Sequence, residues 1–163
     1  VLDRVAKEIN WTSPAPKGVF RGIAQHACFG SFCAEAVEVS VSESGEIKIH
    51  RVVAAIDCGP IVNPDGVRAQ LEGAIVFGLS AALKGEITIE NGQVKQSNFH
   101  DYAVLRMNEA PKIEVHIIES TQPVTGVGEP GLPPIAPALA NAIFAATGKR
   151  LRKLPLSLVV RNP

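Results

Sequence analysis

Two short stretches hold residues whose types and spacing could do chemistry. The first is Thr125-Gly126-Val127-Gly128-Glu129-Pro130-Gly131, in which three glycines surround one carboxylate. Missing side chains let a large group come close to the backbone, and Pro130 directs Glu129 towards extended geometry. A glutamate held there could act as a general base towards that group. A solvated glutamate on a surface loop is the competing reading. The spacing is not that of a dinucleotide fingerprint, and no strand–turn–helix unit frames it. The second stretch is Gln70-Leu71-Glu72-Gly73-Ala74-Ile75-Val76-Phe77-Gly78. Glycine inside a helix costs about 1 kcal/mol relative to alanine, so Gly73 and Gly78 suggest that another backbone or a ligand packs close. Gln70 lies one turn before Gly73, and its amide could face the same groove; tight helix–sheet packing with Gln70 in solvent is the alternative.

Other candidates carry less. His26, His50, His100 and His116 have no metal-ligand spacing, so no metal site is expected; His50 and His116 fall in strand patterns. Cys28, Cys33 and Cys58 make neither a CxxC knuckle nor a disulfide framework and read as small buried hydrophobes. Lys149, Arg150, Arg152 and Lys153 follow a helix and suit its negative end.

The elements that must position these residues follow from periodicity. Leu2, Val5, Ala6 and Ile9 form a short helical pattern, stopped by the Pro14 and Pro16 connector, so residues 1–18 read as a helix and linker entering a domain of residues 19–163. Val37, Val39 and Val41 alternate with polar neighbours, Ser42-Glu43-Ser44-Gly45 supplies a turn, and Ile47 to Ile56 returns as a hairpin strand. Asn63-Pro64 starts an amphipathic helix that runs to Leu83. A second hairpin is expected around Asn91-Gly92, then a strand over Ile113–Ile117, then a helix from Pro134 to Thr147 closed by Gly148. The predicted class is α+β: antiparallel β-hairpins packed with two main helices around one core.

Composition narrows the function. The 163 residues are 46% hydrophobic and 20% charged, with 16 basic and 16 acidic side chains. Zero net charge gives no electrostatic case for nucleic acid or an anionic membrane surface. No apolar run is long enough to span a bilayer. Val1-Leu2-Asp3-Arg4 has neither an initiator Met nor a signal-peptide layout and reads as the cut end of a longer polypeptide. The compartment, cytoplasmic or periplasmic, is left open.

Taken together and in order, the motifs resemble the C-terminal part of the molybdopterin-binding large subunit of the xanthine oxidase family, the molybdenum hydroxylases. The branch is that of isoquinoline 1-oxidoreductase beta subunits and aldehyde dehydrogenase molybdenum-binding subunits. The resemblance runs from Arg21-Gly22-Ile23-Ala24 through Asp57-Cys58-Gly59, Asn63-Pro64, Gln70-Leu71-Glu72-Gly73-Ala74 and Gln96-Ser97-Asn98-Phe99-His100-Asp101-Tyr102. It continues through Gly126–Gly131 and Ala136–Ile143 to Leu154-Pro155. It implies that Glu129 is the general base towards a molybdenum-bound hydroxide, that Gln70 contacts the molybdopterin, and that Gly126 and Gly128 let the cofactor approach. It implies an oxidoreductase that hydroxylates an N-heterocycle or oxidises an aldehyde, with molybdopterin, as a dinucleotide, in the full enzyme. The remainder of the large subunit and an iron–sulfur subunit or domain are the expected partners, because no four-cysteine cluster pattern occurs here. This chain alone is expected to be inactive and free of cofactor, with an apolar face towards the absent part. The alternative is a non-catalytic assembly domain that pairs with the rest of the subunit.

Overall fold

The structure, a computed structural model, describes residues 1–159. Its elements are α1 (Leu2–Glu8), β1 (Phe20–Cys28), β2 (Ser31–Val41), β3 (Ile47–Asp57), α2 (Pro64–Leu83), β4 (Ile89–Glu90), β5 (Gln93–Val94), β6 (Lys112–Ile117) and α3 (Ile135–Thr147). One four-stranded sheet has the order β1-β2-β3-β6, and β4 and β5 pair separately. Strands β1, β2 and β3 are successively antiparallel, whereas β6 joins β3 in parallel.

Local chemistry explains most boundaries. Asn63 caps α2, its side-chain oxygen accepting from the N–H groups of Asp65 and Gly66, with Pro64 at the first helical position. Asn91 and Gly92 both take left-handed φ, as a two-residue hairpin of this kind requires. The α+β class, the antiparallel hairpins and the two main helices are all present. Their arrangement differs from the sequence expectation in three places. The hairpin around Asn91 contributes no buried residue. Strand β6 is parallel. Strand β1 is additional, and forms a second long hairpin with β2.

Alternation divides the sheet into two faces. Cys33, Val37, Val52, Ala54 and Ile56 meet α2 and α3 through Leu71, Ile75, Leu79, Leu139 and Ile143. Each large apolar side chain buried there is worth about 1.5–3 kcal/mol. The opposite face, with Ala34, Ala36, Val53 and Ala55, packs Val5 and Ile9 of α1. Helix α3 lies so close to β1 that a Cβ on Gly22 would collide with the backbone of Ala138 and Ala142. Arg51 of β3 bonds Glu114 of β6 through two nitrogens, and these bonds hold the Glu114 carboxyl down to about 2.

One buried group breaks the apolar pattern. Glu35 stands on the helix-facing side of β2, paired across the ladder with Ala24 and Ala54. It is fully buried, and neither carboxyl oxygen has a partner among the described residues. Burial pushes its pKa well above the ordinary 4.5. An acid harder to ionise when folded makes stability fall as pH rises above its unfolded value. Replacing Glu35 by Leu should therefore raise the melting temperature at neutral pH, a gain of about 1–3 kcal/mol. The advantage should narrow as pH is lowered towards 4.5. Thermal melts of both proteins across that range check it; a pH-independent difference would contradict the assignment.

Candidate functional site

Four features converge at one end of the sheet: the β1–β2 turn, the C-terminal ends of β3 and β6, the N-terminal half of α2, and the long connection from β6 to α3. The turn consists of Phe29 and Gly30 alone, both at left-handed φ (53° and 79°). A Cβ on Gly30 would lie 2.7 Å from Thr125 Cγ2, so the turn is pressed directly against the long connection. Ser31, buried just after the turn, donates to Gly126 O at 2.6 Å and lies 2.7 Å from Thr125 Oγ1. The Thr125 N–H donates to Cys58 O at 3.0 Å, tying the same point to the end of β3.

The connection is fastened again a few residues later. Pro130 and Gly131 are buried, and a Cβ on Gly131 would lie 3.3 Å from Ala74 Cβ and 3.5 Å from Leu71 Cα. Leu132 N–H donates to Glu129 O at 2.9 Å, closing the turn that leads towards α3. Between the two fastenings Val127 packs onto the core, while Gly126, Gly128 and Glu129 remain exposed. No atom lies within 4 Å of where a Gly128 Cβ would stand, and only Phe29 Cβ reaches that limit at Gly126. The Glu129 charge reaches the Cys28 thiol, whose pKa is raised first by burial and then by that charge. Cys28 is thus half-buried at the site, whereas Cys33 and Cys58 are buried as expected, and all three are free thiols.

Gln70 is exposed on α2, and its amide has no hydrogen-bond partner among the described residues. It lies one turn before Ala74, on the flank of α2 that receives Gly131. Gly78 is explained by the close approach of Ile135 and Leu132, whereas Gly73 has open space beside it. Among the described residues no group of histidine, cysteine and carboxylate side chains could hold a metal ion. His50 bonds Ser40 at 2.8 Å and His116 bonds Arg4 at 3.0 Å. Ser31 is absent from the sequence expectations, and Thr125, though it opens the glycine-rich stretch, has no role in them. A Phe-Gly pair between two strands is the signal that could have located their turn.

This arrangement suits an extended polar ligand that takes its own metal with it. It offers two open glycines, an unengaged amide and an exposed carboxylate, all attached to fixed backbone. Comparison with known proteins identifies the family. The molybdopterin cofactor-binding domain family matches residues 10–111, a span that includes Gln70 and ends before Glu129. The chain belongs to that family. It is 38% identical over 160 residues to isoquinoline 1-oxidoreductase subunit beta of Brevundimonas diminuta, covering 96% of this chain and 20% of that one. It is 36% identical over 137 residues to the aldehyde oxidoreductase molybdenum-binding subunit PaoC of Escherichia coli, covering 78% and 19%. The aldehyde oxidoreductase structure from Desulfovibrio desulfuricans superposes with TM-score 0.67 at 28% identity, covering 77% of this chain and 14% of that one. The chain therefore spans about a fifth of the length of these curated relatives.

The fastening by Ser31 can be tested directly. Ser31→Ala removes the hydroxyl that holds Gly126 and Thr125, at a cost of about 0.5–1.5 kcal/mol for a hydrogen bond. Amide exchange should accelerate at residues 125–128 and stay unchanged in the centre of β2. Unaltered exchange in the connection would show that the hydroxyl does not hold it.

Proposed function

We propose that this chain supplies one wall of the cofactor site in a molybdopterin-dependent oxidoreductase, which hydroxylates an N-heterocycle or oxidises an aldehyde. The observation that carries this reading is the doubly fastened Gly126–Glu129 arc beside the flank of α2 that bears Gln70. When bound, the molybdopterin would supply the metal and its two-electron redox chemistry. In this reading the Gln70 amide donates to and accepts from the cofactor's polar edge. Gly126 and Gly128 let that edge approach the backbone without a side chain intervening. Glu129 accepts a proton at its carboxylate from the oxygen that is to be transferred, and so makes it nucleophilic. Exposure of the carboxylate in this chain supports that role, since it leaves the group free to meet the rest of the site.

The remaining cofactor contacts and most of the substrate pocket fall to the rest of the large subunit. Iron–sulfur centres that would take up the electrons would be held outside this chain, whose three cysteines are scattered. A buried pterin needs hydrogen-bond partners over most of its surface, and each one missing costs about 1–3 kcal/mol. The isolated chain is accordingly proposed to retain no cofactor.

In the full-length enzyme, Glu129→Gln should lower kcat by about 10²–10⁴-fold, the usual worth of general-base assistance. Molybdenum content should stay unchanged, because volume and shape are kept. Near-normal turnover of the metal-loaded variant would refute the role. Gln70→Ala should instead lower the molybdenum bound per protein, with a smaller effect on turnover per metal. Full occupancy together with a large loss of turnover would assign Gln70 to chemistry and not to retention.

A further inference from the structure

Strand β6 ends the sheet on one side. The Ile118 N–H donates to Ile56 O at 2.8 Å, which fixes the alternation along the strand. Backbone groups of Glu114 and His116 face β3, and those of Ile113, Val115 and Ile117 face away. Among the described residues these outward N–H and C=O groups have no hydrogen-bond partner. The strand carries no proline and no bulge to blunt its edge. Its internal carboxylate, Glu114, is turned onto Arg51.

The space beside this edge is shaped. Helix α2 and the segment Tyr102–Leu105 enclose a groove of about 810 Å³ that reaches the strand at Pro111 and Ile113. A second groove, of about 500 Å³, follows the edge from Val115 to Ser120 between Arg68 of α2 and Arg4 near the start of the chain. Gly73 lies in the first groove with nothing within 4 Å of where its Cβ would stand. A glycine inside a helix costs about 1 kcal/mol relative to alanine, and no contact among the described residues accounts for it. Close approach of something from outside would.

We propose that β6 receives one further β-strand, donated by the part of the same polypeptide that lies outside these 163 residues. That polypeptide has ample length to provide it, since this chain spans about a fifth of its curated relatives. The donated strand pairs with the outward groups of Ile113, Val115 and Ile117. Its side chains on the α2 side are apolar and cover Val76, Ile113 and the open flank at Gly73. A second copy of this chain fits less well. Related by a two-fold axis perpendicular to the sheet, it would bring its own α2 to the same face, against the α2 that already borders this edge. Gly73 and Phe77, which line the first groove, follow Gln70 by three and seven residues on one helix face, so the groove borders Gln70. The pairing at β6 is tested on its own backbone amides and does not depend on the cofactor reading.

The test uses the full-length protein. Hydrogen exchange read at single residues should show the amides of Ile113, Val115 and Ile117 slowed by about 100-fold or more relative to an unpaired peptide, as for a strand inside a sheet. The slowing should be independent of protein concentration and persist when partner subunits are removed. Fast exchange at these amides would overturn the proposal. So would protection that disappears on dilution, which would mean a second copy, or on removal of a partner subunit. As a second measurement, Val115→Pro deletes an N–H that the β3–β6 pairing does not use. The variant should lower the melting temperature of the full-length protein if a strand pairs there; unchanged stability would overturn the proposal.

Discussion

The connection from β6 to α3 runs through residues 118–134 without regular secondary structure, and the candidate site depends on how it is tied down. A segment of this length can hold a functional group in place only if its backbone is fixed at several points. The Ser31 hydroxyl and the Cys58 carbonyl fix it near Thr125, and α2 fixes it at Gly131. Only the few residues between are free to face a ligand, and Glu129 is among them. The two-residue turn at Phe29–Gly30 makes this possible, because it carries Ser31 to the tip of a long rigid hairpin. Position at this site is therefore a property of the sheet, transmitted through one hydroxyl, one backbone carbonyl and one close helix contact.

Helix α2 organises the rest by having three different sides. Its buried stripe, Val67, Leu71, Ile75 and Leu79, fills the core. One neighbouring flank takes Gly131 and the other looks over the free edge of β6, with Gln70 bordering both. The sheet and the long connection thus both meet the same helix. Whatever orders α2 orders the glutamine, the glutamate arc and the edge together. The Asn63 cap and Pro64 define where that helix begins.

Much of this was legible in the sequence wherever a local rule decides the backbone. The Asn63-Pro64 start, the Asn91-Gly92 turn and the Gly148 stop each depend on chemistry within a few residues, and each is found as expected. The features that escaped are those set by distant contacts. Strand β1 contains Gly22 and shows little alternation, because α3 lies against its backbone and leaves no room for a side chain. The parallel direction of β6 follows from a long crossover that local patterning does not record. Glu35 occupies a core position that an alternating pattern assigns to an apolar residue. At the candidate site, Gln70 and Glu129 are proposed on residue type and family resemblance. The hydroxyl clamp beneath them was not legible, since Ser31 and Thr125 are far apart in sequence.

The Gly126–Glu129 arc and Gln70 are proposed to form one wall of a molybdopterin site. The most direct measurement is the structure of the full-length, cofactor-loaded protein. The Gln70 amide and the backbone of Gly126 or Gly128 should lie within hydrogen-bonding distance of the molybdopterin or its ligands, with the Glu129 carboxylate facing the metal. A cofactor enclosed by other segments, with Glu129 and Gln70 both left in solvent, would contradict it.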